Sequence, residues 1–244
     1  MTAEEINPYD NNRGKTEQVR EMFDNIAPAY DLMNRAMSLG LDRSWRRKAV
    51  RMVAATRPHA IVDIATGTGD FALSLAQAIP DANVTGLDLS KGMVEIGRRK
   101  VAEAGMTDRI SMQVGDCLDS PLPEACADAV TVAFGVRNFA RLADGYSAMF
   151  RMLRPGGLLC VIELSTPTSP LVKPFYKLYT RGFIPLMGRL VSKDRRAYTY
   201  LPESIAAVQQ GEAMLALMRG AGFEQTKFHR LTLGVCTIYT AIRP

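Results

Sequence analysis

The run DIATGTGD at positions 63–70 constrains the fold of this chain more than any other stretch. Two apolar residues, Ile61 and Val62, precede it, and apolar residues with helical spacing follow at 71–76. This order predicts a short buried strand, a glycine turn and a helix. Glycines let the backbone pass close to a ligand, and free N–H groups at a helix start favour a polar or anionic ligand group. We interpret the run as a nucleotide-type cofactor site.

The glycine turn alone fits two kinds of cofactor. Gly67 and Gly69 also match the looser dinucleotide pattern G-x-G-x-x-A, and Asp88 follows at about the right distance to hold two ribose hydroxyls. Two other acids weigh against a dinucleotide. Asp63 stands inside the strand, where a pyrophosphate binder usually carries an apolar residue, and Asp70 places a negative charge at the helix start.

A third acid, Asp116, follows a predicted third strand at 110–115. Acids at the ends of three successive strands suit a cationic ligand that carries a ribose and an adenine amine. S-adenosylmethionine is such a ligand, and we predict it as the cofactor. The alternative is that the glycine turn and the strand-end acids only close loops. This alternative is easier to accept for any one of these residues than for all of them together.

The composition favours one globular domain in a reducing compartment. The chain has 244 residues, 47% of them hydrophobic, and a net charge of +5, which permits an anionic partner without requiring nucleic acid. The four cysteines include no C-x-x-C pair, which argues against a zinc site and a disulfide framework. The first five residues do not resemble a signal peptide, and no apolar run approaches the roughly 20 residues that span a bilayer. We therefore predict a cytoplasmic protein without a metal, and attachment to a membrane surface stays open.

From position 61 onward, short apolar runs alternate with helical patterns. Strands are predicted near 61–64, 83–87, 110–115, 128–133 and 157–163, with helices between them at about 70–79, 91–104 and 141–153. Such alternation predicts a parallel sheet that helices cover on both faces.

The other segments surround this core, 61–163, within a single domain that spans 1–244. N-terminal helices are predicted at about 16–55, broken near Pro28 and Gly40. A basic and aromatic cap follows the core at 168–202. The C-terminal part, 203–244, contains a last helix at about 203–221 and an antiparallel strand pair at 223–231 and 235–242. The predicted fold class is α/β, a doubly wound and mostly parallel sheet that ends in this pair. The layout resembles the Rossmann-like fold of class I methyltransferases, in which ligands bind beyond the carboxyl ends of the strands.

Four stretches carry a closer resemblance. They are FDNIAPAYDLMN at 23–34 running on to Ser38-Leu39-Gly40 and Trp45, the glycine turn, FGVRN at 134–138, and RMLRPGG at 151–157 followed by ELS at 163–165. Over nearly its whole length the chain resembles the ubiquinone/menaquinone biosynthesis C-methyltransferase family. The glycine turn and the Pro-Gly-Gly turn are widespread among methyltransferases, whereas the first and third stretches are far more specific to this family.

The resemblance implies cofactor contacts by Thr68 in the turn, by Asp88 to the ribose hydroxyls, and by Asp116 and the Cys117 backbone to the adenine. The reasoning from strand ends reaches Asp88 and Asp116 independently. With Asp63, Gly67 and Gly69 of the turn, these residues form the predicted cofactor site. The chain departs from the family at two places: Asp42 stands where many relatives carry a histidine, and Ala133 where some carry a serine.

The implied reaction moves a methyl group from the sulfonium of S-adenosylmethionine to a ring carbon of a reduced polyprenyl quinone. Demethylmenaquinol is the first choice, and a benzoquinol of the ubiquinone pathway or another small molecule is the alternative. Loss of the quinol hydroxyl proton raises electron density at the ortho carbon, which attacks the methyl group.

Residues for this chemistry come from the family-specific stretches. Arg137, beside Asn138, is predicted to stabilise the phenolate, and Tyr30, Asp31 or Asp42 to relay the proton. Each has a structural alternative, because Arg137 could form an ion pair, Asn138 could cap a turn and Tyr30 could pack in the core.

The segment 171–200 contains seven basic residues and one acid, Asp194, with six aromatic residues interleaved. A basic and aromatic face suits the surface of an anionic membrane, where a polyprenyl quinol resides. We predict peripheral membrane contact through this segment and no nucleic-acid partner. The alternatives are a solvated charge run on a cap helix and nucleic-acid binding.

Overall fold

The computed structural model describes residues 2–9, 12–183 and 195–244. A seven-stranded sheet forms its centre, in the order β3-β2-β1-β4-β5-β7-β6. The strands are β1 (Ala60–Ile64), β2 (Asn83–Asp88), β3 (Ile110–Val114), β4 (Ala127–Ala133), β5 (Leu153–Leu164), β6 (Glu224–Leu231) and β7 (Cys236–Ile242). β1 to β5 run parallel, and β7 pairs antiparallel with both β5 and β6. The predicted fold class is confirmed.

Helices cover both faces of the sheet. They are α1 (Lys15–Ile26), α2 (Tyr30–Ser38), α3 (Leu41–Ala54), α4 (Asp70–Ala78), α5 (Lys91–Glu103), α6 (Leu142–Met152), α7 (Lys173–Leu178), α8 (Arg195–Ala207) and α9 (Glu212–Gly220). Side chains of α6 and α9 pack with Val62 and Ile64 in one apolar cluster, whereas those of α3, α4 and α5 pack with Ile61 in another. The alternation along β1 therefore places one core on each face.

The N-terminal helices break where the sequence predicts. A 3-10 turn, Ala27–Ala29, with Pro28 inside it, separates α1 from α2. Leu39 and Gly40 both adopt left-handed backbone between α2 and α3. Side chains of α1, α2 and α8 form a third apolar cluster, which includes Met33 and Tyr200. These three helices thus pack on one another and on Met93 of α5.

Two elements differ from the prediction. β5 begins at Leu153 instead of 157, because Leu153 pairs with Ala127 before an irregularity in the ladder. The single helix predicted over 203–221 is two helices, α8 and α9. Between them Gly211 adopts φ +60 and ψ −127, a conformation that only glycine tolerates, and its N–H donates to the Tyr239 hydroxyl at 2.9 Å.

The cap begins with α7 and continues as one π-helical turn, Tyr179–Phe183. Residues 184–194 of the predicted cap, among them Arg189, Lys193 and Asp194, lie outside the described residues. Among the helices that the structure describes, none combines the length and the hydropathy needed to cross a bilayer.

Candidate active site

The glycine turn after β1 is fixed from behind by Asp63. The Asp63 carboxylate accepts the Thr66 hydroxyl and the Thr131 hydroxyl, each at 2.6 Å. Burial raises the pKa of this carboxyl to about 6, and the two hydroxyl bonds oppose that shift. Gly67 (φ +58) and Gly69 (φ +80) then take left-handed backbone, which turns the chain into α4. Asp63, 1% exposed, therefore supports the turn from the core.

Asp88 at the end of β2 faces the same turn. Its two oxygens accept the N–H groups of Gly67, at 2.8 Å, and of Ser90, at 2.9 Å. Burial raises the Asp88 pKa to about 6, while these two backbone bonds lower it. A carboxylate has about four acceptor positions, so Asp88 retains capacity for ligand hydroxyls.

Asp116 and Cys117 follow β3 at the same edge of the sheet. Asp116 Oδ1 accepts the N–H of Leu118 at 2.9 Å. Burial, with the neighbouring Asp116 charge, raises the pKa of the Cys117 thiol to about 12. The thiol is therefore protonated and unreactive at neutral pH, and the backbone of Cys117 is the part that suits an adenine ring.

These strand ends line a cleft of about 770 Å³. Asp88, Asp116 and Cys117 form one side, with Gly67 and Gly115 at the turns. A Cβ on Gly115 would lie 2.7 Å from Leu87 Cδ1, so this wall has no room for a side chain. Two strand-end acids, the backbone at Cys117 and a glycine cradle in one cleft fit a nucleoside-bearing ligand such as S-adenosylmethionine. In the described part of the chain, no three histidine, cysteine or acidic side chains group as metal ligands.

The sequence reasoning missed the outer wall of this cleft. Side chains of α1 line it, namely Thr16, Val19, Arg20 and Phe23. Asp24 fastens α1 to the start of α5 by accepting the Ser90 hydroxyl at 2.6 Å and the Gly92 N–H at 2.9 Å. The available signal was the position of Asp24 inside the family-specific stretch 23–34, whereas its capping contact with Ser90, 66 residues away, comes from packing.

Thr68, Asp63 and Gly69 do not line the cleft. The Thr68 hydroxyl donates to Asp31 Oδ1 at 2.6 Å, and Lys100 Nζ lies 2.8 Å from Asp31 Oδ2 and also contacts Asp70. Lys100 thereby joins α2, the turn and α5 at one charged cluster. Direct cofactor contact by Thr68, Asp63 or Gly69 stays a prediction.

A second cavity, of about 650 Å³, lies beside the cleft. Tyr30 and Phe134 line both spaces, so these two rings form a common wall. Aromatic residues from three further elements contribute to the second cavity: Trp45 of α3, Tyr176 of α7 and Tyr179 of the π-helical turn. Its walls are mostly apolar, with charged groups at a few positions, as in sites for flat organic ligands.

Arg137 is one of those charged groups. It is 7% exposed, and its Nη1 donates to Glu163 Oε1 at 2.8 Å and also to the carbonyl of Phe134. Burial would lower the pKa of the guanidinium, but the Glu163 carboxylate raises it further, so Arg137 stays charged. Asn138, beside it, lines the cofactor cleft and accepts the Tyr200 hydroxyl at 3.1 Å. The structure thus brings both predicted residues to the cavities, and Arg137 arrives with a buried ion-pair partner.

Asp42 also lines the second cavity. It accepts the Ser38 hydroxyl at 2.7 Å and pairs with Arg46, whose guanidinium carbon lies 5.5 Å from the centre of the Phe134 ring. Ser38 and Arg46 also line the cavity and were missed by the sequence reasoning. Their spacing of four residues on either side of Asp42 was the available signal.

Tyr30 lies between the two spaces. Its ring is the nearest neighbour that a Cβ on Gly67 would meet, at 3.7 Å. Burial raises the Tyr30 pKa, although Asn34 and the charges of Arg137 and Arg46 oppose the shift. Tyr30 is therefore a neutral phenol at physiological pH, which can donate a hydrogen bond but is not a base.

The sheet order, the glycine turn and the acids at successive strand ends define the class I methyltransferase architecture. The sequence model of the ubiE/COQ5 methyltransferase family matches residues 11–243, and the chain belongs to that family. The resemblance predicted from the sequence is confirmed. The chain is 47% identical to "Demethylmenaquinone methyltransferase" of Bacteroides fragilis, over 98% of each chain. It is 44% identical to "Ubiquinone/menaquinone biosynthesis C-methyltransferase UbiE" of Geotalea daltonii, over 93% of this chain and 96% of the relative.

Two solved structures show the same fold. The [4+2]-cyclase SpnF has a TM-score of 0.71 at 17% identity, over 94% of this chain and 96% of that chain. The S-adenosylmethionine-dependent methyltransferase SibL, solved in its apo form, has a TM-score of 0.64 at 20% identity, over 85% of this chain and 57% of its own. A cyclase among them illustrates that the fold alone does not determine the reaction.

Proposed function

We propose that the protein transfers a methyl group from S-adenosylmethionine to a ring carbon of a reduced polyprenyl quinone, with demethylmenaquinol as the substrate. The observation that carries the proposal is the wall that the two cavities share. Because Tyr30 and Phe134 border both spaces, a ring in the second cavity lies next to a ligand in the cleft. The names of relatives at 44% and 47% identity support the same reaction.

In this proposal the cleft holds the cofactor, which supplies an electrophilic methyl group on a sulfonium when it is bound. Asp88 accepts the ribose hydroxyls, and Asp116 with the Cys117 backbone holds the adenine. Gly67 lets the turn approach the ligand, and Asp63 and Thr68 hold that turn from behind. Two acids, Asp88 and Asp116, line the cleft against one cation, Arg20, and this balance favours a cationic ligand.

The second cavity holds the quinol ring among Trp45, Tyr176 and Tyr179. Arg137 stabilises the negative charge that develops on the quinol oxygen, and Tyr30 contributes a hydrogen bond from its neutral phenol. Asn138 contacts the ligand from the wall of the cleft. Transfer then depends on a carbon-to-methyl approach of about 3–3.5 Å.

Ser38 and Asp42 take the proton that leaves the quinol hydroxyl. The Ser38 hydroxyl already donates to Asp42, so its oxygen is free to accept from a ligand hydroxyl. Arg46 holds the Asp42 carboxylate in place through their ion pair. Asp42 occupies the position where many relatives carry a histidine, and this aspartate–serine pair replaces it in the proposal.

The prenyl tail of the substrate lies in a membrane, which calls for contact with that membrane. The described part of the basic segment, 171–183 and 195–200, supports such contact, since Lys173 and Lys177 are exposed beside the exposed ring of Phe175. We place the protein on the cytoplasmic side and peripheral to the bilayer, without a nucleic-acid partner.

A labelled-methyl assay tests the proposed function. Purified protein is incubated with methyl-labelled S-adenosylmethionine and a short-tailed demethylnaphthoquinone, either reduced or oxidised. Label is expected in the reduced acceptor alone, because only a quinol has a hydroxyl proton to lose. Equal label in both forms would contradict the role given to the phenolate, and label in neither would contradict the reaction.

A further inference from the structure

Exposed apolar side chains stand on the same segments of the chain as residues that line the second cavity. Met37 and Ser38 line it and directly precede Leu39, while the lining residues Tyr176 and Tyr179 are close in the chain to exposed neighbours. The exposed apolar residues of this region are Leu39, Leu41, Leu171, Phe175, Leu178 and Leu233. They come from the corner between α2 and α3, from the start of the cap and from the turn between β6 and β7.

Contacts hold these three segments side by side. Trp45 Nε1 of α3 donates to the Thr232 hydroxyl at 2.8 Å, which fixes the β6–β7 turn beside α3. A Cβ on Gly234 of the same turn would lie 3.4 Å from Pro167 Cα, so the turn also packs against the chain that leads into α7. The exposed side chains therefore belong to one side of the protein.

Leu39 and Leu233 stand where local energetics disfavour leucine. Both adopt left-handed backbone, with φ +51 and φ +57, and they are 72% and 75% exposed. Glycine and asparagine tolerate this conformation better, and water solvates them better. Leucine gains little burial at these positions in the free protein, and an apolar partner that covers it would supply the missing stabilisation.

The charge around these leucines is of one sign. The exposed face of α3 carries Arg43, Arg47, Lys48 and Arg51, while its one acid, Asp42, is buried against Arg46. Lys173 and Lys177 of α7 are exposed, and the segment 165–183 contains no acid. Such a surface complements an anionic one.

We propose that these apolar tips and basic residues form a docking face for the surface of an anionic lipid bilayer. The leucines enter the interface, the cations of α3 and α7 contact the headgroups, and the second cavity then faces the membrane. This inference rests on the proposed function, because it supplies the route by which a prenylated quinol reaches the cavity. It places part of the contact at the α2–α3 corner, outside the segment 171–200. Nucleic acid fits less well, since phosphates require polar donors and leave leucine tips without a partner.

Co-sedimentation with vesicles tests the docking face. Vesicles of phosphatidylcholine with phosphatidylglycerol are compared with vesicles of phosphatidylcholine alone, at low and high salt. The wild type is expected to bind the anionic vesicles. The double variant Leu39→Asn, Leu233→Asn should bind them at least about tenfold more weakly while its stability is kept or raised, because asparagine suits both positions. Arg43→Gln with Arg47→Gln should reduce binding most at low salt. The matched control is Val114→Thr, exposed at the end of the edge strand β3, with Arg99→Gln, exposed on α5, and it should bind like the wild type.

Three outcomes overturn the docking face. They are no binding of wild type to anionic vesicles, unchanged binding by the double asparagine variant, and capture of an RNA oligomer in place of vesicles. A short-tailed quinol assayed without vesicles separates this inference from the proposed function. The asparagine variant should keep wild-type turnover on that acceptor, whereas a wild type that methylates no quinol refutes the reaction whatever the vesicles show.

Discussion

Glu163 accepts two hydrogen bonds from Arg137: its Oε1 lies 2.8 Å from Nη1, and its Oε2 lies 3.2 Å from the backbone nitrogen. The N–H of Leu164 adds a third bond to the carboxylate, at 2.8 Å. Both charged groups are buried, so the pair fixes a cation at the wall of the second cavity. Arg137 is therefore both a structural ion-pair partner and a candidate for the chemistry.

We expect Arg137→Ala to lower turnover on quinol far more than affinity for S-adenosylmethionine, because charge develops on the quinol oxygen in the transition state. The variant should also lose about 3–5 kcal/mol in the free energy of unfolding, since it leaves the Glu163 charge buried without a partner. Arg137→Lys should rescue turnover in part, because an ammonium lacks the planar fork. Calorimetry, denaturant unfolding and turnover separate these effects. An Arg137→Ala protein with wild-type turnover would mean that the residue is structural alone.

Asp88→Ala should weaken S-adenosylmethionine binding by at least about tenfold to a hundredfold, because two charge-assisted hydrogen bonds are worth about 1.5–3 kcal/mol each. The affinity of the wild type should also depend on pH. Burial raises the Asp88 pKa to about 6, so the carboxylate is ionised above that pH and takes up a proton below it. In the proposed site the ionised form accepts the ribose hydroxyls, so affinity should fall about tenfold per unit well below pH 6.

Two variants control this pH profile. Asp88→Asn should bind weakly at every pH, without the fall below pH 6. Asp63→Asn should keep the profile, although burial raises the Asp63 pKa to a similar value, because Asp63 does not line the cleft. A wild-type dissociation constant that is flat from pH 7.5 to 5 would contradict the assignment of Asp88 to the ribose.

Ser38→Ala should reduce turnover on quinol by about tenfold or more and leave cofactor affinity unchanged, because it removes the hydroxyl that hands the proton to Asp42. It also retains the Asp42–Arg46 pair, so the fold should persist. Asp42→Asn should lower turnover further and lose stability as well, since the buried Arg46 charge then lacks its partner. Asp144→Asn, at an exposed ion pair, is the matched control and should be neutral. Full turnover by Ser38→Ala would remove the relay from the mechanism.

Lys100→Met should lower the free energy of unfolding at pH 7 by about 1 kcal/mol, because Asp31 and Asp70 then face each other without a cation. Burial tends to raise the Asp70 pKa, but the hydrogen bond and charge of Lys100 lower it below its ordinary value of 3.8. This stabilisation is fully present above pH 3.8 and is lost as the pH falls through the lower folded-state pKa. The free energy of unfolding, measured at pH 7 and at pH 3, should therefore differ less between the variant and the wild type at pH 3. Lys91→Met, which removes an exposed ion pair on the same helix, should leave the free energy of unfolding unchanged at both pH values. An equal difference at both values of pH would exclude an electrostatic origin.

The strand ends and the glycine turn could be predicted because their signals are local. Hydrophobic spacing located β1 to β4 closely, and Asp88 and Asp116 stand at positions that the strand pattern alone identifies. The break at Gly211 could not be found in this way. The residues around it continue a helical pattern, and its cause is a bond to Tyr239 on a distant strand.

The second cavity escaped sequence reasoning for the same reason. Trp45, Tyr176 and Val235 come from segments far apart in the chain, and packing alone brings them together. The partner of Arg137 is likewise 26 residues away, on the neighbouring strand. Spacing rules describe single elements, so they predict which residues are polar or special but not which of them meet.

The central claim is methyl transfer to a quinol ring carbon, and product analysis tests it most directly. Reduced demethylnaphthoquinol and a reduced benzoquinol of the ubiquinone pathway are offered side by side with methyl-13C S-adenosylmethionine, and the products are examined by NMR. We predict that the label appears on a ring carbon of the naphthoquinol, with a smaller amount on the benzoquinol or none. Label on a hydroxyl oxygen, or on neither acceptor while calorimetry shows S-adenosylmethionine bound, would contradict the account.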